Sequence, residues 1–167
     1  MHKLVTRSII ILLLVILNIS CDQVSKAYVR SNFEYNEQLH VIENHVILTK
    51  VENRGAFLSL GSDFPPILKN IMFLIMPCVL MIYLLVIVFI KANLEKMVLI
   101  GYCFIIGGGI GNIYDRLLYG SVTDFMHIGF GALRTGIFNM ADVSVMVGVG
   151  ILVLFYSFSK KPVKEQL

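Results

Sequence analysis

Apolar residues in this chain come in long blocks rather than in alternation. Four blocks are long enough, or nearly so, to cross about 30 Å of hydrocarbon as helices of roughly 20 residues. The first covers residues 4–21 and contains the unbroken run "IIILLLVIL". The second covers 67–90 and is entered through "SDFPP", where Ser62 or Asp63 is placed to cap and the prolines suit a first turn. Pro77 inside it predicts a kink, which neighbouring helices accommodate. The third covers 97–114 and the fourth 139–158, where Asp142 near the start is the only charge. Two polar stretches, 22–66 and 115–138, separate these blocks. In the first, "HVIENHVILTKVEN" is β-branched and loosely alternating, which predicts a few short strands. In the second, "LLYGSVTDFMHIGFGALRTGIF" is too apolar to float in water and too polar to span, as befits an interfacial flap. The pattern predicts an all-α membrane protein of one domain over 1–167. It is a four-helix transmembrane bundle with a small extracytoplasmic β-rich cradle and a flap.

Composition agrees with that reading. The chain is 57% hydrophobic and 15% charged, where soluble domains carry about a quarter charged residues. Its net charge of +3 is small and no basic patch is interleaved with aromatics, so nucleic acid is not an expected partner. Cys21, Cys78 and Cys103 sit in or beside apolar runs without a CxxC and read as small hydrophobes. Charge distribution is more telling. Lys3 and Arg7, then Lys91 and Lys96, then Lys160, Lys161 and Lys164 fall on one side of a four-span bundle. In the 22–66 loop, by contrast, Glu34, Glu37, Glu43 and Glu52 offset the bases. By the positive-inside rule both termini are cytoplasmic and the two longer loops lie outside.

On that topology the awkward polar residues converge. Asp22 and Lys26 end the first span, and Asn112, Asp115 and Arg116 end the third. Asn139 and Asp142 begin the fourth, Asp124 lies in the loop before it, and Asn53 comes from the first outer loop. Charges at this depth cost several kcal/mol unless they face water, protein or each other. Each group has a bland reading. Asp22 and Lys26 at i, i+4 make a helical ion pair. Arg116 could snorkel to the headgroups. Asp142 could sit at the positive end of a helix dipole.

Asp124 and Asp142 together point to chemistry. Two carboxylates close together in a low-dielectric site cannot both ionise easily, so one keeps its proton above the model value of about 3.9. The ionised member then takes a proton from water while the protonated member polarises a carbonyl. Metal chemistry is less well supplied: there is no HExxH, and Asp124 with His127 lacks a third ligand, so no metal or cofactor is expected. "GGGIGN" lies inside a span, where Gly107 and Gly111 suit small-xxx-small helix packing. "LNISCDQ" has Asn18 where a lipoprotein signal carries an aliphatic residue, so the first span is expected to be retained. A transporter using the carboxylates as a relay stays open, although the inner halves of spans two and four carry no polar relay.

Five motifs in order give the chain a family resemblance. "DQVSK" at 22–26, "NRGAF" at 53–57, "GNIYDR" at 111–116, "VTDF" at 122–125 and "FNMAD" at 138–142 together resemble the signal peptidase II family. The resemblance implies an aspartic endopeptidase of the bacterial inner membrane. It would cleave prolipoproteins before a diacylglyceryl-modified cysteine, working as a monomer among membrane lipids. It implies Asp124 and Asp142 as the catalytic pair, with Asn53, Gly55, Asn112, Arg116 and Asn139 binding substrate or orienting the pair. Asp22, Lys26 and Asp115 fall at architectural positions. Phe57 stands where the family usually has alanine, and Thr123, commonly valine there, brings a hydroxyl beside the site.

Overall fold

The computed structural model describes residues 2–159 except 44, 57, 58 and 132. Phe57 and the tail lysines Lys160, Lys161 and Lys164 therefore lie outside the described residues. Helix α1 (His2–Asn32) carries the first apolar run, and strands β1 (Gln38–Ile42) and β2 (Val46–Asn53) follow. The second apolar block is α2 (Pro66–Asn70), one π turn (Ile71–Ile75) and α3 (Met76–Ile90) in succession. Next come α4 (Lys96–Tyr119), β3 (Val122–Phe130), β4 (Leu133–Arg134) and α5 (Met140–Ser159). Four helical stretches, Leu4–Asn32, Pro66–Ile90, Lys96–Tyr119 and Met140–Phe158, are long and apolar enough to cross a membrane.

The central helix is α4. Half of its apolar window is buried, against 17% for each of the others, and it packs on α1, α3 and α5. Small residues allow this. A Cβ on Gly107 would lie 2.5 Å from the Asn18 Cβ of α1, and one on Gly111 would lie 2.6 Å from the Asp22 carboxylate. Backbones that approach so closely gain van der Waals packing, the main attraction between helices in lipid. Ile11, Val15, Met81, Val88, Cys103 and Ile106 fill the core between α1, α3 and α4. Leu13, Val79 and Leu154 point outward, as suits side chains that face lipid. At the end remote from the sheet, Arg7 Nη2 donates to the Val88 and Lys91 carbonyls at 2.7 and 2.8 Å. It satisfies acceptors that the last turn of α3 would otherwise leave open.

Several element ends differ from the sequence expectation. α1 continues beyond 21 to Asn32, because the polar side chains of its last turns are met by partners in the bundle. α4 continues beyond 114 to Tyr119 and stops at Gly120, whose φ of 70° closes the helix in the left-handed region. Asp115 and Arg116 are thus helical, not loop residues. α2 begins behind Pro65 with no side-chain cap from Ser62 or Asp63. Proline has no N–H to give the preceding turn, and the disturbance at Pro77 is the π turn just before it.

The cradle also differs. It is one antiparallel sheet in the order β1-β2-β3-β4, so strands from both polar loops build it, not the 22–66 loop alone. β2 and β3 pair with Val51 opposite Asp124 and Asn53 opposite Val122. The sheet rests on the end of α1 through Val29, Phe33 and Phe125. Phe130 and Leu133, at the β3–β4 tip, stay exposed as the apolar part of the flap.

Candidate active site

The site forms where α4 ends, α5 begins and β2–β3 cross above them. Asn139 precedes α5 and caps it reciprocally with Asp142. The Asp142 N–H donates to Asn139 Oδ1 at 3.0 Å, and the Asn139 N–H donates to Asp142 Oδ2 at 3.2 Å. This is a capping box with a short acid at its third position. The next free helix donor, the Ala141 N–H, is taken by Asp22 Oδ1 at 2.8 Å. A carboxylate from α1 thus satisfies the N-terminus of α5, where negative charge is favoured.

Asn139 also joins the two candidate acids. Its Nδ2 donates to Asp124 Oδ1 at 2.6 Å, while its main-chain N–H meets the Asp142 carboxylate and its Oδ1 accepts the Asp142 main-chain N–H. Asp124 Oδ2 accepts from Asn53 Nδ2 at 2.9 Å, and Asp142 Oδ1 accepts from Asn112 Nδ2 at 2.8 Å. Each carboxylate is therefore held by at least one asparagine amide whose orientation is itself fixed. Asn53 Oδ1 accepts the Gly55 N–H at 2.9 Å, and Asn53 Nδ2 also reaches the Ala56 carbonyl at 2.9 Å. A side chain on Gly55 would collide with the backbone of Ser59 and Leu60. Asn112 Oδ1 accepts from Lys26 Nζ at 2.9 Å, so only its Nδ2 can face Asp142.

Lys26 anchors this arrangement. It is fully buried, and its ammonium meets Asp22 Oδ2 at 2.8 Å, Asp115 Oδ2 at 3.0 Å and Asn112 Oδ1. Three N–H donors meet three acceptors, which is what a buried ammonium needs. Asp115 has a second cation in Arg30 Nη2 at 2.9 Å and a neutral donor in Gln23 Nε2 at 3.1 Å. Arg116 Nη2 donates to the Gly55 carbonyl at 3.0 Å, tying α4 to the turn that follows Asn53 at the end of β2. Every residue predicted for the site is therefore in this assembly.

Some members escaped the sequence reading. Gln23, Arg30 and Glu52 complete the network: Arg30 Nε donates to Thr123 Oγ1 at 2.8 Å, and Thr123 Oγ1 donates to Glu52 Oε1 at 2.7 Å. The Thr123 hydroxyl thus meets the Glu52 carboxylate and not Asp124. Arg30 follows Asp22 and Lys26 at four-residue steps, a spacing that places it on their helix face. Among the described residues no group of three His, Cys, Asp or Glu side chains is arranged to hold a metal, so Asp124 and His127 have no third partner.

Electrostatics set Asp124 apart. Burial raises its carboxyl from 3.8 to about 6, and the negative charge of Asp142 adds to the rise. The amides of Asn53 and Asn139 and the charge of Lys26 pull the other way. Burial outweighs these donors, so the proton is held into the range where it can be used near neutrality. Beside Asp124 lies a cavity of ≈ 290 Å³ walled by Val51, Asn53, Ser59 and Ile137.

Comparison with known proteins finds relatives over most of the chain. Residues 12–158 match the family described as signal peptidase (SPase) II. The lipoprotein signal peptidase of Wigglesworthia glossinidia brevipalpis is 33% identical over 134 residues, 79% of this chain and 84% of that protein. The lipoprotein signal peptidase of Streptococcus agalactiae serotype III is 35% identical over 148 residues, 89% of this chain and 92% of that one. A bacterial membrane enzyme solved by the in meso method superposes with a TM-score of 0.82 at 24% identity, over 94% of this chain and 93% of its own.

Proposed function

The chain belongs to the signal peptidase II family, aspartic-type peptidases that act on prolipoproteins, and we propose that Asp124 and Asp142 are its catalytic pair. The observation that carries this is Asn139, which donates to both carboxylates, to Asp124 from its side-chain Nδ2 and to Asp142 from its main-chain N–H. The ionised member takes a proton from water as the water oxygen bonds to the scissile carbonyl carbon. The protonated member gives its proton to the carbonyl oxygen, leaving a neutral diol. The C–N bond then breaks, the diol returns a proton to a carboxylate, and the leaving nitrogen takes one to depart as an amine. Protons balance within the pair, so no metal or cofactor is required.

The supporting residues have separate tasks in this reading. Asn53 and Asn112 hold the two acids, and Asn139 links them. Arg116 fixes the loop at Gly55 and has further donors for substrate carbonyls. Asp22, Lys26 and Asp115 hold the helix ends on which the pair stands. The substrate is a prolipoprotein cut before its diacylglyceryl-modified cysteine, whose acyl chains and signal helix bring the bond to the membrane surface. The bundle and sheet act as one domain and as a monomer, since one chain supplies every site residue. The Lys/Arg asymmetry supports cytoplasmic termini and a site on the outer face of the bacterial inner membrane.

Incubating purified protein with a diacylglyceryl-prolipoprotein, with and without a strong chelator, tests the proposal. The expected result is equal cleavage before the cysteine in both. Loss of activity in chelator, restored by zinc, would overturn it.

A further inference from the structure

Among the described residues, His127 is the one titratable side chain that shares a cavity with Asp124 and is left unused by this mechanism. In a regular strand, positions three apart lie on opposite faces. Here the Phe125 and Met126 N–H groups both donate to the Phe138 carbonyl, at 3.0 and 2.8 Å, which is a β-bulge. The facing strand slips as well, between Leu48 and Val51. The extra residue reverses the alternation, so Asp124 and His127 line the same cavity, together with Thr135 and Gly136 of the flap.

The ring nitrogens of His127 are not equivalent. Among the described residues, Nδ1 is buried and has no hydrogen-bond partner. A buried donor without an acceptor forfeits its full desolvation cost, so a proton on Nδ1 would be expensive. Neutral imidazole carries its proton on one nitrogen only. The proton therefore belongs on Nε2, the nitrogen left to serve the cavity.

We propose that His127 binds the substrate chain in this cleft, donating from Nε2 to a main-chain carbonyl of the peptide laid over Asp124. It is a substrate-binding residue rather than a participant in proton transfer. This rests on the peptidase reading above. The sequence paired His127 with Asp124 only as candidate metal ligands, and substrate binding is a different role for it.

Side-chain mimicry provides the test. A glutamine amide nitrogen reaches the place of Nε2, whereas an asparagine amide reaches only that of Nδ1. His127→Gln should cleave a diacylglyceryl-prolipoprotein with a KM within about twofold of wild type. His127→Asn and His127→Phe should raise KM by roughly 3- to 10-fold with kcat unchanged, the signature of one neutral hydrogen bond used equally in ground and transition states. Equal KM in all four proteins overturns the inference. So does a Gln variant as impaired as Asn at matched thermal stability. Should the variants not accumulate, ¹⁵N NMR of the wild-type imidazole still decides: an Nε2–H tautomer supports the inference and an Nδ1–H tautomer overturns it. A wild-type protein that cleaves no prolipoprotein would instead count against the peptidase reading itself.

Discussion

Replacing Lys26 with methionine separates what holds the bundle from what orients the site. The ammonium is fully buried and serves Asp22, Asp115 and Asn112 together. Methionine fills a similar volume but leaves its partners facing an apolar thioether. Asp115 keeps Arg30 at 2.9 Å, but Asp22 is left with neutral donors only, the Ala141 N–H and Gln23 Nε2. Stranding one charge of a buried pair costs about 3–5 kcal/mol. For a chain of this length that lowers Tm by about 6–20 °C. Adding Asp22→Asn removes the stranded charge, so the double variant should recover at least ~1.5 kcal/mol over Lys26→Met alone. The two effects should be non-additive, as expected for side chains in contact. Cleavage should stay impaired, because Asn112 Oδ1 then keeps only the longer contact from Asn139 Nδ2, at 3.2 Å, to turn its amide toward Asp142. Thermal melts in detergent and a prolipoprotein cleavage assay on the four proteins of the cycle read both quantities. A double variant less stable than Lys26→Met would refute the account of the charges. A double variant that regained activity along with stability would refute the orienting role of Lys26.

Three further outcomes follow from the same geometry. Because Asp124 is raised to about 6 by burial, the free enzyme loses its protonated acid as pH rises through that value. kcat/KM should therefore fall above about pH 6 and approach a tenfold loss per unit, with an apparent pKa that belongs to the pair; a flat profile from pH 5 to 8 would contradict this. Arg116→Lys should lower kcat/KM about 10-fold or more while the protein accumulates normally, since a single ammonium cannot hold Gly55 and still offer a fork of donors; near-normal turnover would reduce Arg116 to a headgroup anchor. In a cysteine-free background, a cysteine at exposed Gln38 should label from outside and one at exposed Ala92 only after permeabilisation; the reverse pattern would invert the topology.

The spans were legible because lipid-facing helices must be apolar, and runs such as "IIILLLVIL" have no other use. Their ends were less legible for a physical reason. Hydropathy treats Asp22, Lys26 and Asp115 as exits from the membrane, whereas the bundle matches them with one another and lets α1 and α4 continue. The stop at Gly120 was written in the sequence, as glycine after an arginine-bearing last turn, but the charges before it drew the boundary too early. Both acids and their asparagines were visible as polar residues in the wrong solvent. What joins them was not. The sheet recruits β3 from the second loop through long-range pairing that local alternation does not encode, and a bulge at Phe125–Met126 upsets the period that would have placed His127.

The central claim is that Asp124 and Asp142 work as one unit. Cleavage of a diacylglyceryl-prolipoprotein by Asp124→Asn, Asp142→Asn and the double variant tests it most directly, because asparagine keeps the shape of aspartate but cannot ionise or pass a proton. Each single variant should lose roughly 10²- to 10⁴-fold in kcat, and the double variant should be no more than a few-fold worse than either, since residues acting together are strongly non-additive. Substantial activity in either single variant, or losses that multiply in the double, would contradict a shared two-carboxylate mechanism.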